Sequence, residues 1–360
     1  MTTSSHLSRQ VWVYGSGTFA ASIICELETL GHSILGVIDH ANVGSFIKGS
    51  KENYEVRHFS DSKITSEDEV ILGVCNLYGD LKSIASRFQV GVQLVTPVKL
   101  FHYFLESGVS CENYWLSTDF DIYSRCVVEI QEFRNSLHDE SSKALLDSIL
   151  KYRQYGELED LSQPRPLSEQ YLARDLSTPP LELMIIDLGA CQGENLKAFL
   201  DSGCQFTGGY LLEPDGNNLQ ILNKQLIELG ITTLSTHKLG AWKETTTLNF
   251  DASGNTGASL KSGGSHTVDV VALDGFVSSD FVPNFVKMDI EGAEMEALEG
   301  MVGLIQRHRP HLAISIYHKP SDLWELGNFI TRNFPEKYDL YLRVYGHQTF
   351  DTLLYAVPKV

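Results

Sequence analysis

The chain has 360 residues, 42% hydrophobic and 10% aromatic, which suffices for two domains with ordinary cores and excludes a disordered protein. A formal net charge of −18, with Lys and Arg scattered rather than clustered, opposes phosphate backbones and anionic lipid surfaces, so nucleic acid and membranes are not expected partners. No apolar run reaches the length of a membrane span, the first ten residues lack the features of a signal peptide, and the six widely spaced cysteines include no Cys-x-x-Cys pair, so a cytoplasmic protein with reduced thiols is expected.

Residues 11–14, 34–39, 70–74 and 92–95 read as strands and 19–30 as a helix, an alternation that implies a parallel α/β layer over residues 8–105. After the first strand comes Gly15-Ser16-Gly17-Thr18-Phe19-Ala20, and Asp39 ends the next strand 22 residues beyond Gly17. This matches the dinucleotide fingerprint in its G-x-G-x-x-A form. Nothing downstream looks like a hydride-transfer site, so a dinucleotide, a nucleotide-sugar and a purely structural turn all remain open at this position.

Residues 106–180 read as a helical connector. Val127, Ile130, Phe133 and Leu137, then Leu145, Ile149 and Tyr152, recur at helical spacing, and four prolines between 161 and 180 mark an extended lead into the next domain. From 181 to 360 a second α/β pattern runs: strands before Gly189 and Glu213, a helix over 215–229 with Asp215 as its N-cap, and further strands at 233–238, 268–273, 285–289 and 311–317. The last two strands, 338–345 and 352–356, are joined by a turn at Gly346 short enough to force an antiparallel pair. A parallel sheet that ends in such a hairpin is the architecture of class I S-adenosylmethionine-dependent methyltransferases; a dinucleotide-binding sheet would stay parallel there.

Three segments carry chemistry. Asp187-Leu188-Gly189-Ala190-Cys191-Gln192-Gly193-Glu194-Asn195 reads as a strand breaking into a glycine turn that opens a helix, with Asp187 poised for an ammonium group and the helix-start amides for a carboxylate or phosphate. Glu213, 20 residues after Gly193, ends an apolar strand and suits a ribose diol, while Ala241 and Trp242 follow the third strand, where an adenine would pack or where Trp242 would be core. Lys287, Asp289, Glu291 and Glu294 then gather at the end of another strand, with His318 just past the next one. Asp289 or His318 would take a proton, Asp289 with Glu291 would suit a divalent cation, and Glu294 fits a helix start. A polar stretch at 251–265 with four glycines suits a mobile lid.

The C-terminal half resembles the FkbM family of S-adenosylmethionine-dependent methyltransferases. The resemblance is carried by Ile186-Asp187-Leu188-Gly189-Ala190 with Gly193-Glu194-Asn195, by Leu212-Glu213-Pro214, by Val271-Ala272-Leu273-Asp274, and by Val286-Lys287-Met288-Asp289-Ile290-Glu291-Gly292-Ala293-Glu294. It continues through Tyr317-His318-Lys319-Pro320-Ser321-Asp322-Leu323-Trp324 and Leu353-Leu354-Tyr355-Ala356. Weaker similarity in Asp139-Glu140-Ser141-Ser142, Tyr152-Arg153 and Glu169-Gln170-Tyr171-Leu172 extends it over about 118–360. Asn195 departs from the threonine or serine expected after the Gly-Glu pair. The resemblance implies O-methyl transfer to a hydroxyl of a sugar, glycan precursor or secondary metabolite, with S-adenosylmethionine bound by Asp187, Gly189, Ala190, Gly193, Asn195, Glu213, Ala241, Trp242 and Asp289, and with Asp289, His318 and Glu291 at the reaction. Two other readings stay open: an NAD(P)-dependent oxidoreductase using the N-terminal domain, and a ligand-binding protein with a degenerate transferase site.

Overall fold

The computed structural model describes residues 7–61, 63–89, 91–109, 120–176, 179–250 and 266–359. The lid expected at 251–265 lies outside them. The chain forms two compact units, one from Met1–Arg125, Leu146–Pro164 and Gly346–Phe350, the other from Cys126–Leu145, Arg165–Tyr345 and Asp351–Val360. The stretch 106–180 contributes to both. Among the described residues no helix is long and apolar enough to cross a membrane.

In the first unit the chain runs through β1 (Gln10–Tyr14), α1 (Thr18–Thr29), β2 (Ser33–Asp39), β3 (Phe46–Lys48), β4 (Asn53–His58), β5 (Glu69–Leu72), α2 (Leu81–Ala85), β6 (Gln93–Val95), α3 (Pro97–Glu106) and α4 (Ile122–Arg125). The sheet order is β3-β4-β2-β1-β5-β6. β1 is central and parallel to both neighbours, and Val11, Trp12, Val13 and Tyr14 are all buried, as expected of a strand covered on both faces. β3 and β4 go unseen in the sequence because they are short and mostly exposed, with one buried residue each, and so give no apolar run.

The second unit holds α5 (Val127–Ser136), β7 (Glu182–Leu188), α7 (Glu194–Asp201), β8 (Gln205–Leu212), α8 (Gly216–Glu228), β9 (Leu234–His237), β10 (Gly240–Ala241), β11 (Thr246–Phe250), β12 (His266–Val271), α9 (Leu273–Phe276), β13 (Phe285–Met288), α10 (Glu294–Glu299), α11 (Val302–His308), β14 (His311–Ser315), α12 (Asp322–Asn333), β15 (Tyr338–Val344) and β16 (Thr352–Pro358). Helix α6 (Glu140–Tyr155) has residues in both units.

The main sheet runs β15-β16-β14-β13-β7-β8-β9. β7, β8, β9, β13 and β14 are parallel, while β16 is antiparallel to both β14 and β15, the expected final hairpin. The strand expected at 268–273 is not in this sheet. It forms β12, which pairs with β10 and β11 in a separate three-stranded sheet.

Asp215 caps α8 as expected, accepting from the amides of Asn217 and Asn218 at 2.9 Å each. Under the sheet, Ile185, Phe199, Leu211, Phe285 and Tyr355 are almost wholly buried, each contributing roughly 1.5–3 kcal/mol. α5 packs on α12: a Cβ on Gly327 would lie 2.1 Å from the Phe133 ring, so only glycine admits that side chain. The contact is pinned by Asn328 donating to the Glu129 carbonyl at 2.8 Å. Buried Arg343 of β15 draws in Asp139 and Asp175 at 2.8 and 2.7 Å.

Candidate active site

β7 and β13 are neighbours from which the chain departs to opposite sides, so their C-terminal ends border the crevice at the switch point of the sheet. Register places Lys287 opposite Asp187. Both are buried, and the Lys287 ammonium lies 2.9 Å from Asp187 Oδ1, donates to the Gly189 carbonyl and stands 5.5 Å from the centre of the Tyr171 ring. Burial alone would lower the Lys287 pKa, but Asp187 and Asp289 outweigh it and raise it. Asp187, expected to meet a ligand ammonium, is thus already paired, because a charge buried in a parallel sheet needs a partner.

Past Asp187 the chain turns back sharply. Gly189 has φ +78, and a Cβ there would lie 1.9 Å from the Asp289 carbonyl oxygen, so the β7 and β13 ends touch backbone to backbone. Gly193, φ +88, caps α7 under Leu222 and Leu196. The amides of Gly189 and Ala190 donate to the Leu212 carbonyl, that of Gly193 to Ala190, that of Cys191 to Glu213 and that of Gln192 to Glu194. The turn amides thus serve the protein, and at the start of α7, whose amides were expected to face a carboxylate or phosphate, Glu194 adds negative charge. Asn195 is half-buried on the first turn of α7.

Glu213 is 6% exposed at the end of β8. Its carboxylate accepts the Cys191 amide at 2.9 Å and the Asp215 amide at 2.8 Å, one on each oxygen, which leaves each oxygen a free lone pair. Burial raises its pKa against the pull of those amides. Ala241 is buried and Trp242 half-buried on or beside β10, outside the main sheet. The Trp242 carbonyl abuts Gly300, where a Cβ would sit 2.1 Å away.

The third group is compact. His318 is bracketed by acids: its Nδ1 meets Glu294 Oε1 at 2.9 Å, while Nε2 lies 3.4 Å from Asp289 Oδ1 and 3.6 Å from Glu291 Oε2. Burial alone would lower the His318 pKa, but Glu294, Asp289 and Glu291 hold it up at about 10, so the ring is an imidazolium at neutral pH. The three acids thus favour the charged ring in this state. Asp289 accepts the Tyr171 hydroxyl at 3.0 Å on its other oxygen. Burial would raise its pKa, yet His318 and Lys287 keep it below the ordinary value. Glu291, left-handed at φ 56 and 44% exposed, is pushed up to about 7 by burial and by the neighbouring acids. Asp289, Glu294 and His318 can each turn one ligand atom into a common space, all within 4.8 Å of one another. The trio includes Glu294 where the sequence pointed to Glu291.

Sequence reasoning passed over four participants. Glu294 looks like a helix-start acid and does accept the Ile290 amide at 3.0 Å, but it is fully buried against His318. Tyr171 sits in the proline-bearing stretch, where no periodicity marks it. Asp351, whose pKa burial and Asp289 raise to about 6, follows the hairpin turn. Lys287 was seen only as a face-mate of Asp289. The one available signal was a charged side chain inside an apolar strand.

A seven-stranded Rossmann-like sheet with a reversed last pair, carrying acids at its switch point, defines a methyltransferase fold. Residues 187–348, a little under half of the chain, match the family model of the methyltransferase FkbM domain, which supports a methyltransferase. The FkbM methyltransferase of Methylobacillus flagellatus KT is similar over nearly the whole chain, at 23% identity and a TM-score of 0.75, covering 97% of this chain and 90% of that one. Two others align at scores too low to bear on this chain. An rRNA methylase of Streptococcus thermophilus has TM-score 0.34 and 18% identity, covering 55% of this chain and 99% of its own. Aeropyrum pernix fibrillarin with bound S-adenosyl-L-methionine has TM-score 0.34 and 12% identity, covering 54% and 75%. A search of curated proteins finds no match.

Proposed function

We propose that the C-terminal unit transfers a methyl group from S-adenosylmethionine to a hydroxyl of a sugar, glycan precursor or secondary metabolite. The supporting observation is the sign of the site: Asp289, Glu291 and Glu294 surround His318 beside a turn whose amides are spent and whose helix opens with Glu194. Such surroundings favour a cation over a pyrophosphate.

The residues fit the cofactor. Glu213 keeps lone pairs for ribose hydroxyls, and His318 Nε2 is a buried donor at ion-pair rather than hydrogen-bond distance from two carboxylates. When bound, S-adenosylmethionine supplies an electrophilic methyl on sulfonium. Glu213 holds the ribose end. Glu291, exposed and with a pKa near the working pH, takes the proton of the acceptor hydroxyl, because a base works best when its pKa matches the medium. The His318 imidazolium, itself held between Asp289 and Glu294, lies beside Glu291 and balances its charge. His318 supplies the positive charge that a divalent cation would otherwise bring, so the reading needs no metal. The free cysteines Cys25, Cys75, Cys126, Cys191 and Cys204 suit a cytoplasmic setting.

The test is titration calorimetry of the full chain with S-adenosylmethionine, S-adenosylhomocysteine and NAD. Both sulfur compounds should bind, and Glu213→Ala should weaken them by roughly ten- to a hundredfold, the worth of charge-assisted hydrogen bonds. An unchanged affinity would remove the ribose assignment, and a protein that takes up only NAD would contradict the proposal.

A further inference from the structure

The proposed methyl transfer leaves one feature of the first unit unused: a cavity of about 550 Å³ at the C-terminal ends of β1, β2 and β5. Its size is that of a small-molecule site, and it lies at a second switch point, since β1 separates β2 from β5. The wall includes Gly15, Gly17, Asp39, Asn76 and Arg87.

Its two glycines differ in kind. Gly15 has a reason within the protein, with φ +117 and a Cβ position 2.6 Å from the Gly73 carbonyl oxygen. Gly17 has none: its φ is −85 and a Cβ there would meet nothing within 4 Å. It is a glycine on the cavity wall at a place the fold leaves open for any residue, as a close-lying ligand would require. In the second unit both Gly189 and Gly193 are accounted for by protein neighbours. The helix starts differ in the same way, since α7 opens with Glu194 whereas α1 has no acid in its first turn and no side-chain cap.

Asp39, 8% exposed, ends β2. One oxygen accepts the Ser16 hydroxyl at 2.6 Å and the other the amides of His40 and Ala41 at 2.7 and 3.1 Å. The carboxylate is thereby aimed and keeps lone-pair capacity on the Ser16 side. Among the charged groups of the wall, Asp80 is spent capping α2 through the Ser83 amide at 3.0 Å, and His40 meets the Tyr14 hydroxyl at 2.8 Å. Arg87 touches the cavity with one loose bond to Tyr14, at 3.4 Å, and keeps its other donors.

We propose that this cavity binds a nucleoside diphosphate group, its ribose on Asp39 and its diphosphate over Gly17 at the start of α1 with Arg87 as counter-charge. Dinucleotides and nucleotide-sugars share that chemistry. The experiment is calorimetry of the full chain, saturated with S-adenosylhomocysteine to fill the other site, against ADP, UDP, GDP, adenosine, uridine, NAD and UDP-glucose. At least one diphosphate should bind at least about tenfold more tightly than its nucleoside, as charge-assisted contacts to phosphate require. Tighter binding of NAD than of ADP would identify a dinucleotide as the source, and tighter binding of UDP-glucose than of UDP a nucleotide-sugar. Gly17→Asp is the decisive variant. Aspartate is a good N-cap at this extended position, so the unfolding midpoint should hold or rise, while its charge should abolish diphosphate binding. Arg87→Ala should weaken it. Absence of diphosphate binding at millimolar concentration, or binding indifferent to Gly17→Asp, would overturn the proposal, and neither result touches S-adenosylmethionine binding by the other unit.

Discussion

Replacing Glu294 by Gln preserves shape and the acceptor for the Ile290 amide but removes the charge 2.9 Å from His318 Nδ1. Holding a histidine at about 10 rather than 6.5 corresponds to about 5 kcal/mol of preference for the imidazolium. Glu294 is the nearest of the three acids and fully buried, so its loss should cost about 3–5 kcal/mol of stability at pH 7, the penalty for breaking a buried pair. The sign follows from linkage. A pKa raised in the folded state contributes stability that is complete below about 6.5, declines above it and is gone above about 10, so parent and variant should converge at high pH. Denaturant unfolding from pH 6 to 10.5 measures the difference, and imidazole NMR measures the His318 pKa in both proteins. A His318 that titrates near 6.5 in the parent, or a variant in which its pKa stays near 10, would refute the account of the site.

Once a methyl acceptor is in hand, kcat/KM should rise with pH through about 7 as Glu291 ionises and fall again toward about 10 as His318 loses its proton; Glu291→Gln should remove most of the rate and the lower limb, and an unchanged profile would rule out Glu291 as the base. Lys287→Met leaves the Asp187 charge buried and alone, so calorimetric stability should fall by about 3–5 kcal/mol, and adding Asp187→Asn should recover much of it. Dialysis against EDTA should leave the rate unchanged; a loss reversed by Mg²⁺ or Mn²⁺ would assign Asp289, Glu294 and His318 to a cation instead.

Local patterns carried much of this protein. Apolar runs that end in an acid or a glycine marked β1, β2, β7, β8 and β13, because strand burial and turn chemistry are written within a few residues. The short link at Gly346 forced the reversed hairpin, and Asp215 announced its own cap. Polar β3 and β4 were invisible for the same reason, and β12 was seen as a strand but not as one that leaves the main sheet. At the site, the sequence placed Asp289, Glu291 and His318 on one edge.

Only the tertiary structure decided what those side chains are free to do. Asp187 and Lys287 stand 100 residues apart in the chain and side by side in the sheet, so the acid offered to a ligand is already neutralised. Tyr171 and Glu294 reach Asp289 and His318 from segments with other local meanings. The two glycine turns look alike as sequence, yet Gly189 and Gly193 are both closed off by protein neighbours, whereas Gly17 of the other turn opens onto a cavity. Strand ends are set by neighbours in the chain; charge state and vacancy are set by neighbours in space, since burial and Coulomb attraction act over a few ångströms whatever the separation in sequence.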